Sequence, residues 1–199
     1  MEYIAHRINT AEELIKLPFA YGVELDLRDN LEGNVYIAHN PFEQGEDFEQ
    51  YLKQYHHKTM ILNIKSERIE LKVMELLKQY CVRDFFFLDS SFPMIYQLVS
   101  MNEQRIALRY SEFEGMDTIR NMRGRVQWIW VDCFTKLPIT HQSFRELKDM
   151  GYKLCLVSPE LQGREKDIEV YGKYLKNEGI TMDAICTKAH NIERWKYLF

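Results

Sequence analysis

At 199 residues with 46% apolar content, the chain can bury one sizeable core, and a single domain over 1–199 is the simplest organisation. Its 26 basic and 30 acidic residues are interspersed, for a net charge of −4, so no nucleic-acid footprint is evident. The four cysteines form no C-x-x-C pair and no apolar run reaches the roughly 18 residues of a membrane span, which argues against a zinc site, a disulfide framework and a transmembrane segment. Met1-Glu2-Tyr3-Ile4 lacks a basic region followed by an apolar stretch, so a soluble, reducing, cytoplasmic setting is expected.

Short apolar runs alternate with longer segments of helical periodicity. The pattern predicts strands near 3–7, 22–28, 35–39, 60–65, 85–89, 105–110, 126–132, 153–158 and 184–187. It predicts helices near 10–18, 44–56, 67–80, 93–101, 115–123, 140–150, 162–178 and 191–198. Thr10 followed by Glu13 is a capping-box signal for the first helix. In the helix from Glu67 to Tyr80, Ile69, Val73, Leu76, Leu77 and Tyr80 form an apolar stripe, with Ser66 as the expected N-cap. Thr140, Ser143 and Gly151 bracket the helix ending at Met150.

One pair of runs breaks the alternation. Seven residues separate Leu27 from Val35, too few for a parallel crossover, so these two runs are expected to form a hairpin. Without the return strand, eight strands remain, each followed by a helix. That order predicts a parallel α/β sheet and suggests a compact (β/α)8 TIM barrel with a hairpin after the second strand. An open doubly wound sheet is the competing architecture.

The chemistry-bearing residues gather at strand ends. In a strand, residues i and i+2 share a face, so Glu24 and Asp26 point the same way with Cα atoms roughly 6.5 Å apart. Two such carboxylates can close on one hard cation. His6 and His39, at neighbouring strand ends, could transfer protons beside it. Asn63 and Lys65 share the C-terminal end of the next strand. Arg109 and Asp132 fall late in theirs. His6, Glu24, Asp26 and His39, two His, one Glu and one Asp within 34 residues, suggest metal-assisted chemistry, most plausibly at phosphorus. His56-His57 reads as surface, His141 and His190 as helix starts, and Phe85-Phe86-Phe87 and Trp128-Ile129-Trp130 as core.

Four motifs in order resemble the glycerophosphodiester phosphodiesterase family of the phospholipase C-like group. They are Ala5-His6-Arg7, Gly22-Val23-Glu24-Leu25-Asp26-Leu27, His39-Asn40-Pro41 and Leu62-Asn63-Ile64-Lys65. Asp183-Ala184-Ile185-Cys186-Thr187-Lys188 looks like the family's last barrel strand. The resemblance implies that Glu24, Asp26 and Asn63 hold Mg²⁺ or Ca²⁺. It implies that Arg7 and Lys65 grip the phosphate of a small-molecule phosphodiester, and that His6 and His39 share general acid and base roles. Three positions depart from the pattern: Ile8 for the usual Gly, Asn40 for Asp, and Asn63 for a Glu ligand. A catalytically lapsed barrel that binds a phosphorylated ligand or a protein, and a cyclic-phosphate-forming enzyme like the sphingomyelinase D group, are the alternatives. The alcohol part of the substrate and the oligomeric state are not readable from these residues.

Overall fold

A computed structural model describes all 199 residues. The chain opens with β1 (Glu2–Ala5) and α1 (Ala11–Lys16), the latter started by a complete Thr10/Glu13 capping box. Then come β2 (Gly22–Asp29), β3 (Val35–Ile37), β4 (Glu46–Asp47) and α2 (Phe48–Leu52). After these the order is regular: β5 (Met60–Ile64), α3 (Glu70–Gln79), β6 (Phe85–Leu88), α4 (Phe92–Ser100), β7 (Ala107–Tyr110) and α5 (Met116–Asn121). It continues through β8 (Trp128–Val131), α6 (His141–Asp149), β9 (Lys153–Val157), α7 (Ile168–Asn177), β10 (Ala184–Thr187) and α8 (Ile192–Leu198). No helix is long and apolar enough to cross a membrane.

Parallel pairs run β6–β5–β2–β1–β10–β9–β8–β7. β6 and β7 meet through one isolated parallel bridge, Phe87–Ile106, beside a 2.9 Å bond from the Phe87 amide to the Arg105 carbonyl. β3 lies antiparallel to the end of β2, with Leu27 opposite Ile37, and β4 adds to its outer edge. Parallel strands covered on both faces read as continuous apolar runs, and every residue of β5, β6 and β8 is buried.

Strand alternation splits the apolar residues into two cores. Forty-four residues pack between strands and helices, Phe85 and Phe87 among them. Eleven alternate residues form a second cluster: Ile4, Ile61, Phe86, Leu88, Ala107, Trp128, Trp130, Cys155, Val157, Ala184 and Cys186. Phe86 stacks on Trp128 there, with ring centroids 4.5 Å apart. Gly22 is required where β2 crosses this packing, because a Cβ there would sit 2.4 Å from the Thr59 carbonyl oxygen.

Three expected helices are shortened. The segment from 44 begins with β4, and the helix starts only at Phe48, capped by Asp47. α3 begins at Glu70 rather than 67, and Ser66 does not cap it: the Ser66 hydroxyl accepts from the Asp29 amide instead, and Arg68 has a left-handed φ of 72° that no helix contains. The segment from 162 is interrupted by Gly163 at φ 74°, leaving short 3₁₀ turns before α7 begins at Ile168.

Candidate active site

Because the strands are parallel, all their C-terminal ends lie on one face. The inward positions that follow the inner apolar cluster are polar there: His6 two residues after Ile4, Asn63 and Lys65 after Ile61, Arg109 after Ala107, Asp132 after Trp130 and Lys188 after Cys186. Glu24 and Asp26 lie on the same side of β2, both completely buried. The Ala38 amide donates to the Asp26 carbonyl at 3.0 Å, which carries the β2–β3 pairing onward and brings His39 over the rim. Arg28 fixes that corner, donating to the carbonyls of His39 at 2.8 Å and Lys65 at 3.1 Å.

Asp26 faces four donor side chains from three segments. Asn9 Nδ2 donates to its Oδ2 at 3.0 Å while the Asp26 amide donates back to Asn9 Oδ1 at 3.1 Å. Arg7 Nε lies 3.8 Å from Oδ2. His39 Nδ1 and Lys65 Nζ come within 3.2 and 3.5 Å of Oδ1; neither approach has hydrogen-bond alignment. Burial pushes the Asp26 carboxyl up, but the Asn9 bond, His39 and Lys65 hold it below the ordinary aspartate value.

Glu24 is the opposite case. Burial and the neighbouring Asp26 raise its carboxyl, against bonds from Asn63 Nδ2 at 2.9 Å and the Arg7 amide at 2.8 Å. Arg7 reaches that second bond through a left-handed backbone at φ 54°. His6 Nε2 stands 3.6 Å from Glu24 Oε2. Burial, with Arg7 and Lys188 nearby, pushes the His6 ring down to about 3, so it is neutral at pH 7.

His39 Nε2 sits 2.8 Å from an Arg7 Nη. Guanidinium only donates, so Nε2 is the acceptor and the ring proton is on Nδ1, facing Asp26. Next along the rim, Lys65 Nζ lies 3.8 Å from Asp89, which also binds Arg109; Arg109 in turn binds Asp132.

The structure therefore brings His6, Arg7, Glu24, Asp26, His39, Asn63 and Lys65 together. Histidines that the sequence reads as surface or as helix starts lie apart from this group. His57 is half-buried, with its ring on the Leu17 carbonyl, and His141 starts α6 with its ring on the Glu178 carbonyl. Asn40 turns away and donates to Glu43 at 2.7 Å. Sequence reasoning missed Asn9, Arg28, Asp89 and Lys188. Asp89 and Lys188 carried a usable signal, a charged residue just past a buried strand. Asn9 and Arg28 carried none.

The expected divalent ion can be tested against these contacts. A hard cation needs about six or more oxygens. No three His, Cys, Asp or Glu side chains come together in a way that could hold an ion. The third side-chain ligand would be Asn63 through Oδ1, yet the amide presents its nitrogen to Glu24 and leaves Oδ1 buried without a partner. The oxygens of Asp26 already face an ammonium, a guanidinium, an imidazole and an amide. The residues present do not make a cation cage.

No protein-family model matches the sequence, and no curated protein matches it. Solved structures do. A glycerophosphodiester phosphodiesterase from Agrobacterium tumefaciens is 15% identical with a TM-score of 0.68, covering 99% of each chain. A glycerophosphoryl diester phosphodiesterase from Parabacteroides distasonis is 9% identical with a TM-score of 0.66, covering 98% of this chain and 86% of the other. The fold is theirs. At this identity the likeness speaks for the architecture alone.

Proposed function

We propose that the chain is a divergent phosphodiesterase of the glycerophosphodiester phosphodiesterase family, a single closed (β/α)8 barrel with a β2–β3 hairpin over its mouth. The carrying observation is that His6 and Arg7, His39, and Lys65, from three separate segments, meet around two buried carboxylates. The names of the neighbouring structures support a small glycerophosphodiester as the substrate class.

The phosphodiester anion binds between Arg7 and Lys65; guanidinium can do so through two parallel bonds. To reach it, Arg7 leaves His39 Nε2, and that lone pair becomes free. His39 then accepts the proton of the attacking oxygen, water or a substrate hydroxyl, while Asp26 stabilises the imidazolium from the Nδ1 side. The new P–O bond forms and the P–O bond to the alcohol breaks. Burial, and after it the positive charges of Arg7 and Lys188, hold His6 neutral; the bound anion offsets those charges and favours the imidazolium, so His6 takes a proton from solvent and passes it to the leaving oxygen.

Phosphorus NMR of a glycerophosphodiester panel tests this reading. Wild type is expected to convert at least one diester to a monoester or a cyclic phosphate, the product identifying the nucleophile. No conversion of any diester, with or without added Mg²⁺, Mn²⁺ or Ca²⁺, contradicts it.

A further inference from the structure

The rim contains the positive charge that a phosphodiester needs, within the chain itself. Arg7 and Lys65 both approach Asp26, at 3.8 and 3.5 Å, and Asn9 and His39 occupy its remaining approaches. Glu24 is held from two sides, by the Arg7 amide and by Asn63 Nδ2. A divalent ion between these carboxylates would stand beside a guanidinium and an ammonium and would have to displace the Asn63 amide. The amide as it stands makes a hydrogen bond to Glu24 without bringing in a charge, which suits a carboxylate that burial already disfavours as an anion.

We propose that this site binds its phosphodiester without a divalent cation: Arg7 and Lys65, steadied by Asp26, supply the charge, and the Asn63 amide takes the cation's place against Glu24. The proposal rests on the phosphodiester reading and adds to it the source of the neutralising charge. Asn63 is the residue that decides it. A third carboxylate there would face Glu24 and Asp26 and restore an anionic, oxygen-only pocket of the kind hard cations select.

Calorimetry with inorganic phosphate and dimethyl phosphate as probes separates the possibilities. Wild type is expected to bind with the same affinity in EDTA as in excess Mg²⁺ or Ca²⁺. Lys65→Met should weaken binding about tenfold or more in EDTA, a factor of ten being about 1.4 kcal/mol. Ca²⁺ titrated into wild type should give no saturable heat at this site, while Asn63→Glu should create one that Glu24→Gln abolishes. Asn63→Asp serves if the larger side chain prevents folding. Probe binding that requires a divalent ion overturns the inference and leaves the phosphodiester reading standing. So does a wild-type Ca²⁺ site that Glu24→Gln removes. Probe binding in neither condition overturns the phosphodiester reading and the inference together. Binding unchanged by Lys65→Met also overturns the inference.

Discussion

Asp26 organises the site one residue at a time. Its two oxygens orient His39, steady Lys65 and Arg7, and lock the chain after β1 through Asn9. Removing Asn9 should therefore act at a distance. Asn9→Ala leaves a buried carboxylate short of a donor and an amide short of an acceptor, and should cost roughly 1–3 kcal/mol in urea unfolding. His39→Ala should lower turnover by roughly 10²–10⁴-fold in a steady-state diester assay, as for loss of a general base, whereas His57→Ala, on the far side of the fold, should leave it unchanged. The carboxylates could be read from the sequence because alternation alone puts Glu24 and Asp26 on one face. The His39 tautomer could not be, because it depends on an arginine 32 residues away. Asn9 was hidden for a similar reason: its reach follows from the left-handed turn at Arg7, which no residue pattern announces.

At the level of elements, sequence signals held where local chemistry was sufficient. Thr10–Glu13 and Thr140–Ser143 do cap α1 and α6 with reciprocal bonds. Thr10→Ala should cost about 1 kcal/mol by thermal unfolding. Signals failed where tertiary partners competed for the same group. Ser66 looks like a cap but serves the end of β2, and Glu46–Asp47 look helical but pair with β3. Gly22 belongs to the resembling motif, yet its requirement is packing: the Thr59 carbonyl leaves no room for a side chain. Gly22→Ala should destabilise by roughly 1–3 kcal/mol through overpacking, read from the urea midpoint, even though no reacting group is touched.

Across the whole molecule, the repeated strand–helix order was legible because parallel strands on a common axis need helical crossovers. The uneven pairing between β6 and β7 was not, since it depends on register between distant segments. Beyond the regular β7–β8 pairing, the loops after these two strands are joined by Glu112, which accepts from the Thr135 hydroxyl at 2.7 Å and the Lys136 amide at 3.3 Å. Slight burial pushes this carboxyl up, but the Thr135 and Lys136 bonds outweigh it and hold it down to about 2. A depressed carboxyl stabilises above its ordinary value and loses that contribution as pH falls through the folded value. The Thr135 amide resonance should accordingly titrate with a midpoint near 2 in wild type and show no such step in Glu112→Gln.

The claim that four strand ends build one anion site is tested most directly by the imidazole resonances of His6 and His39 during a dimethyl phosphate titration. The account predicts that both shift together along one binding curve, with His56, His57, His141 and His190 unmoved. Saturable binding that leaves His6 and His39 unperturbed, or that moves the distant histidines instead, would contradict it.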